Sequence, residues 1–286
     1  MGRWRDGAQC AVMLTFDLDA ETLWLAGSLE RRERIGLLSQ GTYGARVGVP
    51  LILHTLRRYE LKATFFVPGW VAEHHPDVVA AIVDQGHEIG HHGYLHESVT
   101  ELSSEEERAV LERGIEALRR VTGIVPRGYR SPSWELTTRT LQLLEEYGFR
   151  YSSNLMSHFL PWQHPETRLI ELPVQWLLDD APFFLFRTGP GSRPIQPAQV
   201  AFQAWAEEFQ GIYRFGGLFN LTMHPQLIGR PGRILMLERL LEHLLSYPRV
   251  WFATGQEVAE YWAAHVAANP EEWRQGLVYD PLRHRS

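Results

Sequence analysis

Short apolar runs alternate with amphipathic segments along most of this chain. The apolar runs predict strands over Ala11–Phe16, Ala63–Val67, Glu88–Gly90, Gly128–Arg130, Arg150–Ser152, Leu169–Val174, Leu218–Met223 and Val250–Phe252. Apolar positions with helical spacing predict helices over Pro50–Tyr59, Asp77–Gln85, Ser103–Val121, Thr137–Tyr147, Pro197–Tyr213, Ile234–Ser246 and Gln256–Ala267. Nearly unbroken apolar strands that alternate with helices indicate a parallel sheet covered by helices. Such a series of units favours a distorted (β/α) barrel of seven or eight parallel strands, which places the chain in the α/β class.

The same pattern indicates one domain over residues 1–286, with a core at about 11–256 and a C-terminal helix and tail at 256–286. Two stretches carry no clear element. Residues 20–47 form an insertion rich in Arg, Glu and Gly, and residues 175–196 hold an aromatic cluster. Both are longer than ordinary connections, so either could be a lid, a substrate wall or a subunit contact.

Polar residues follow several of the predicted strands. Asp17 and Asp19 end the first strand, His92 and His96 follow the strand around residue 89, and His224 ends a late one. Because the carboxyl ends of parallel strands meet at one face of a β/α barrel, we expect these side chains to share a site. A carboxylate with two imidazoles can hold a divalent cation, which predicts Asp19, His92 and His96 as ligands. Asp17 and His224 are then left to move protons.

The spacing leaves a second histidine pair open. His87 and His91 are also four residues apart, and we prefer His92 and His96 because they lie beyond the strand end. Arg130 follows another predicted strand and could pair with Asp17 and fix its direction. The alternative interpretation of Arg130 is an ordinary surface arginine in a turn.

Composition narrows the class of protein. The chain has 286 residues with 44% hydrophobic, enough for a large core, and its net charge of -6 argues against a nucleic-acid binder. The single Cys10 excludes an internal disulfide and fits a reducing compartment. The N-terminal residues carry no apolar run of signal-peptide length, and no apolar run is long enough to span a membrane. We therefore expect a cytoplasmic protein with no nucleic-acid or membrane partner.

These residues together resemble the polysaccharide deacetylase superfamily, also called the NodB-homology domain or carbohydrate esterase family four. The family motif Thr-Phe-Asp-Asp-Gly corresponds to residues 15–19. Its second motif, His-(Ser/Thr)-x-x-x-His or close to it, corresponds to residues 92–96. Its Arg-x-Pro-Tyr motif corresponds to residues 130–133, and its Leu-x-x-His motif to residues 221–224. The second Asp is displaced by one place, and Ser133-Trp134 replaces the family's Tyr. Both departures resemble a cytoplasmic branch of peptidoglycan-deacetylase-like enzymes and cyclic imide hydrolases.

The resemblance implies a metal-dependent hydrolase of a non-peptide carbon–nitrogen bond. One divalent ion, usually zinc, would be held by Asp19, His92 and His96, and a homotetramer is common in such proteins. Asp17, oriented by Arg130, would be the base and His224 the acid. Candidate substrate contacts, or partners of His224, are Trp134, Trp176, Asp179 and Asp180.

Three functions follow from this resemblance. The first is a deacetylase of N-acetylated sugars or glycan fragments. The second is a hydrolase of small cyclic amides or imides, which the expected cytoplasmic location favours. The third, a non-catalytic sugar-binding protein, is opposed by the complete set of candidate site residues.

Overall fold

The protein is described by a computed structural model over residues 4–26, 32–186 and 194–268. Its strands are β1 (Cys10–Asp17), β2 (Thr64–Val67), β3 (Glu88–His91), β4 (Gly128–Tyr129), β5 (Tyr151–Ser152), β6 (Trp162–Gln163), β7 (Ile170–Glu171), β8 (Leu218–Met223) and β9 (Val250–Phe252). Its helices are α1 (Thr22–Leu25), α2 (Ile35–Tyr43), α3 (Val49–Arg58), α4 (Gly69–His74), α5 (Pro76–Asp84), α6 (Ser104–Thr122), α7 (Thr138–Glu146), α8 (Ala181–Phe184), α9 (Ala198–Phe215), α10 (Pro225–Ile228), α11 (Pro231–Leu245) and α12 (Gly255–Ala268). Each predicted strand and helix is present, with its ends shifted by up to three residues at most positions.

The strands form one curled sheet in the order β6-β7-β5-β4-β3-β2-β1-β8, and β9 pairs with β1. Every described pairing is parallel except that of β6 with β7. The Asn220 side chain of β8 donates to the carbonyl of Pro173 just after β7, at 3.0 Å, so the two ends of the sheet approach each other. The distorted barrel is thus confirmed, and residues 4–26, 32–186 and 194–268 contribute nine strands to it, one of them antiparallel, where seven or eight parallel strands were predicted.

Residues of β1 alternate between two environments. Cys10, Val12, Leu14 and Phe16 pack outward under the helices, whereas Ala11 and Met13 join an inner cluster that includes Trp262 of α12. The next two inward positions are Thr15 and Asp17, both buried and polar. Because successive side chains of a strand point to opposite faces, one strand supplies both the apolar floor and the polar end of the barrel.

The interpretation of residues 20–47 as a stretch without clear elements is wrong. It contains α1, α2 and a helical turn over Gly44–Gly48 that runs directly into α3. The helix that runs into α3 has glycines where it contacts other backbone segments, so its buried face lacks the large apolar residues on which a periodic pattern depends. A Cβ on Gly48 would lie 2.3 Å from the carbonyl oxygen of Pro225. Residues 175–186 likewise include the short α8.

The predicted tail at 269–286 lies outside the described residues. In the ranges that the structure does describe, no helix combines the length and the apolar character needed to cross a membrane.

Candidate active site

A cavity of about 110 Å³ opens at the carboxyl ends of β1, β3 and β8. The structure brings eight of the ten predicted site residues into its lining, and Arg130 and Asp180 lie buried behind them. The lining comprises Asp17, Asp19, Leu23, His92, His96, Ser133, Trp134, Trp176, Asp179, Ala181, Leu185, His224 and Leu227. Strand ends from distant parts of the chain therefore meet in one small chamber.

Asp19, His92 and His96 form what we call the open cluster, in which the potential ligand atoms lie within 4.8 Å of one another. The Oδ1 atom of Asp19 is 3.4 Å from Nε2 of His92 and 3.8 Å from Nε2 of His96. The other ring nitrogen of His92, Nδ1, donates to the carbonyl of Arg130 at 2.7 Å. That hydrogen bond fixes the ring with Nε2 toward Asp19, as outer-shell partners of ligating histidines do.

The open cluster has room for a cation. Asp19 is fully buried, and its Oδ1 finds no hydrogen-bond donor in the described part of the chain. A buried carboxylate oxygen with no partner is costly, so it indicates a missing positive group. A cation about 2.0–2.2 Å from each ligand would hold those atoms roughly 3–4 Å apart, which matches the distances found. One carboxylate and two imidazoles thus fit a divalent ion.

The protonation states of Asp19 and His96 agree with this fit. Burial opposes the charge on Asp19, but the imidazoles of His96, His92 and His224 outweigh burial and hold the pKa of Asp19 below its usual range. Burial lowers the pKa of His96 to about 4, so its imidazole is neutral at pH 7 and has a lone pair to offer. At neutral pH the cluster therefore offers an ionised carboxylate and a neutral imidazole.

Asp17 makes a direct ion pair beside the open cluster. Its Oδ1 accepts from Nη1 of Arg130 at 2.8 Å, and both side chains are buried. The guanidinium also donates to the hydroxyl of Thr15 at 2.8 Å and to that of Ser153 at 2.9 Å. Its Cζ lies 4.3 Å from the ring centre of Phe66. Arg130 is therefore fixed in direction, and Asp17 with it.

Asp179, Asp180 and His224 form a second group, which we call the closed cluster. Nδ1 of His224 donates to Oδ1 of Asp180 at 2.6 Å, and the His224 amide donates to Oδ2 of Asp180 at 3.0 Å. Asp179 accepts from the Ala181 amide at 2.7 Å, and its Oδ1 is 3.7 Å from the His224 ring. Of the two carboxylates, Asp180 thus orients His224, and Asp179 faces the cavity.

Opposing influences act on the proton of His224. Burial alone would lower its pKa, but the carboxylates of Asp180 and Asp179 outweigh burial and raise the pKa well above the ordinary value. Burial also raises the pKa of Asp179 to about 7. His224 therefore carries a proton at neutral pH, with Nε2 turned toward the open cluster, 3.8 Å from Oδ2 of Asp19.

Two tryptophans form the wall opposite these groups. Trp134 is buried and Trp176 is half exposed, and their ring centres lie 4.4 Å apart. Ser133 and Trp134 both have a left-handed backbone, with φ of 57° and 61°, and so do His96 and Ala20, with φ of 60° and 47°. Backbone strain of this kind persists where the surrounding structure fixes it, and it is common around active sites.

The alternative histidine pair lies elsewhere. His87 accepts a hydrogen bond from the Ala63 amide at 3.2 Å, and the His91 ring lies under α6, where a Cβ on Gly114 would be 2.2 Å from its Nε2. Burial lowers the pKa of His91 to about 3 and that of His87 to about 4. Both are core residues outside the cavity.

Several polar residues that the sequence analysis missed support the site. Thr15, Ser153 and Asn220 surround the Arg130 guanidinium, and Gln226 donates to Oδ2 of Asp19 at 3.3 Å. Thr15 and Asn220 share the inward parity of Asp17 and His224 on their strands, so a count of alternate positions could have found them. Nothing in the sequence distinguishes Ser153 or Gln226 from ordinary loop and helix residues.

Comparisons with known proteins indicate which class of protein this chain is similar to. A family model described as polysaccharide deacetylase matches residues 6–152. A peptidoglycan deacetylase of Helicobacter pylori is 33% identical over 273 residues, covering 85% of this chain and 93% of the relative. A solved structure from Mycobacterium smegmatis, assigned to the polysaccharide deacetylases, has a TM-score of 0.88 at 41% identity and covers 93% of each chain. The allantoinase PuuE shares the fold, with a TM-score of 0.80 at 24% identity over 91% of this chain and 92% of its own.

Proposed function

This chain belongs to the polysaccharide deacetylase family, whose members hydrolyse amide carbon–nitrogen bonds. We propose that it removes acetyl groups from N-acetylated glycan fragments with the help of a divalent metal ion. The observation that carries this proposal is the open cluster, whose buried Asp19 oxygen lacks a donor within the described ranges. An oriented acid and an oriented base lie beside it.

In this proposal Asp19, His92 and His96 hold the ion. A bound divalent cation supplies Lewis acidity, which polarises a carbonyl and acidifies water. The protein's own contribution is to fix the ligands, since His92 is held by the Arg130 carbonyl and Asp19 receives a hydrogen bond from Gln226.

Asp17 is the general base. Its carboxylate lines the cavity next to the open cluster, and Oδ1 is held by the ion pair with Arg130. A carboxylate placed so can take the proton of an attacking water molecule as the carbonyl carbon becomes tetrahedral.

His224 is the general acid. Asp180 holds Nδ1, so Nε2 faces the cavity, and the raised pKa supplies a proton at neutral pH. Protonation of the departing nitrogen is what amide hydrolysis requires, because an amine anion is a poor leaving group. Trp134 and Trp176 are proposed as the wall against which the substrate ring lies. Asp179 is a proposed acceptor for a substrate N–H or O–H group.

A second candidate is a hydrolase of small cyclic amides or imides. The chamber of about 110 Å³ favours it, because a flat five- or six-membered ring would fill a space of that size beside the tryptophan pair. A non-catalytic sugar-binding protein would have no use for an acid and a base held by Asp180 and Arg130, so we do not pursue that hypothesis.

The experiment that separates the two candidates is a direct comparison of substrates. Purified protein would be assayed for metal content and then for turnover of N-acetylglucosamine oligomers and of succinimide. Acetate release from the oligomers supports the deacetylase. Ring opening of succinimide without acetate release would replace it with the cyclic amide hydrolase, and inactivity of the metal-loaded protein on both would overturn both. Zinc as the ion, a homotetramer and a cytoplasmic location belong to the same proposal and rest on the family resemblance.

A further inference from the structure

The antiparallel hairpin of β6 and β7, of which the sequence predicted only β7, carries a buried carboxylate that is hydrogen-bonded to the segment contacting the Arg130 guanidinium. Glu171 is fully buried at the end of β7. Its Oε1 accepts from the amides of Asn154 and Leu155 at 2.6 and 2.8 Å, and its Oε2 lies 2.8 Å from Nε2 of the buried His164. One carboxylate thus closes the turn that follows β5.

That turn holds Arg130 and the residue after it. The carbonyl and hydroxyl of Ser153 accept from Nε and Nη2 of Arg130 at 3.3 and 2.9 Å. The side chain of Asn154 accepts from the Ser131 amide at 2.7 Å, where the strained turn toward Trp134 begins. The path from Glu171 to the guanidinium therefore consists of hydrogen bonds through a single short segment.

The path matters because a guanidinium is planar and donates only in fixed directions. Nη1 donates to Asp17 and Thr15, Nε donates to Ser153, and Nη2 donates to Ser153 and, at 3.4 Å, to Asn220. A shift of Ser153 would rotate the whole group and move the Asp17 carboxylate with it. Misplacement of a reacting group by about 1 Å can cost roughly 10²-fold in rate.

We propose that Glu171, anchored by His164, is a positioning residue that sets the direction of Arg130 and thereby of Asp17. The inference rests on the proposed function, in which Asp17 is the base. The alternative is that Glu171 only stabilises the β6–β7 hairpin and has no effect on the reaction.

Three substitutions of Glu171 test the proposal, because they change whether an acceptor atom at this position can still reach the Asn154 and Leu155 amides. In Glu171→Gln the amide oxygen can still accept from Asn154 and Leu155, and His164 can change tautomer to accept from the amide nitrogen, so kcat should stay close to wild type. Glu171→Asp keeps the charge but withdraws the acceptor by one methylene, and Glu171→Ala removes it. We expect kcat to fall in the order Gln, Asp, Ala, by about 10- to 100-fold for Ala, with little change in KM.

The matched control is Glu107→Ala. Glu107 is also a buried carboxylate, and it accepts from Thr140 at 2.5 Å and from Nε of Arg139 at 2.6 Å, away from Arg130. Activity would be expressed per folded molecule, from the circular dichroism of each variant well below its melting temperature. Glu107→Ala should lose stability but keep kcat, and the metal content of all variants should be unchanged.

A double-mutant cycle with Arg130→Lys gives the second readout. If Glu171 acts through Arg130, Glu171→Ala should cost little further kcat in the Arg130→Lys background. If the kcat losses of Glu171→Ala and Arg130→Lys multiply in the double variant, Glu171 has only a structural role. The same conclusion follows if the wild-type protein is active and both Glu171→Asp and Glu171→Ala keep its kcat. Should Glu171→Ala fail to fold, Glu171→Asp and Glu171→Gln decide the question. A wild-type protein that turns over neither substrate would instead overturn the proposed function, and the inference with it.

Discussion

The open and closed clusters lie on the walls of one cavity and consist of the same residue types, yet they differ in how their polar atoms are occupied. In the closed cluster, Asp180 and His224 satisfy each other at 2.6 Å. In the open cluster, Asp19 is 3.4 Å and 3.8 Å from its two histidines, and one buried oxygen has no donor in the portion of the chain described. Residue type alone would make both of them metal sites. In the proposed function, the occupancy of the lone pairs distinguishes the acid of the closed cluster from the metal ligands of the open cluster.

The largest expected effect comes from the open cluster. His92→Ala or His96→Ala should remove most of the metal and lower activity by more than the about 10- to 100-fold that loss of an outer-shell partner costs. The measurement is metal content by atomic emission together with turnover. If both variants retain as much metal as wild type, the open cluster is not a metal site and does not differ from the closed cluster in the way proposed.

Asp17→Asn tests the ion pair beside the open cluster. The carboxylate lines the cavity but already has Arg130 as a partner, so the variant should keep its metal and lose roughly 10²–10⁴-fold in activity, the usual contribution of a positioned base. Loss of the metal on this change would make Asp17 a ligand and reverse the roles of the two aspartates.

His224→Ala tests the closed cluster as a source of protons. The variant should keep its metal and lose up to about 10²–10⁴-fold on an acetamide, but much less on an activated acetate ester, whose leaving group needs no proton. Equal losses on the two substrates would point to a binding role or to stabilisation of the tetrahedral oxyanion.

The smallest effect is expected for Asp180→Asn, and it concerns pH. In the proposed function His224 acts only when it is protonated. Its raised pKa would keep activity present at neutral pH, and activity would be lost as pH rises through that pKa. Removing the negative charge of Asp180 should lower the pKa of His224 and move the alkaline limb of kcat to lower pH. The loss should stay below the about 10²–10⁴-fold that the acid itself supplies. A pH–rate profile identical to wild type would mean that Asp180 does not act on the proton of His224.

The sequence by itself predicted the distorted barrel and the face that carries the site. Both follow from local patterns, because apolar runs alternate with helices and polar residues such as Asp17 and His224 stand directly after strands. The period of two along a strand places Thr15 and Asp17 of β1 on one side without any knowledge of the fold, and Asp19 follows two residues after the strand ends. The displaced Asp19 and the replacement of a family Tyr by Ser133-Trp134 were also visible in the chain alone.

Only the tertiary structure decided which partners these residues have. Asp179 and Asp180 are equivalent in sequence, and only the backbone beyond β7 aims Asp180 at His224. The path from Glu171 to Arg130 depends on the antiparallel pairing of β7 with β6, and β6 has only two residues, too few to give a periodic signal. Hydrogen bonds such as that of Arg130 with Asp17, 113 positions apart, and that of Gln226 with Asp19, 207 positions apart, depend on how helices and strands pack. No local pattern encodes them, because each side chain is satisfied by atoms that the rest of the chain brings to it.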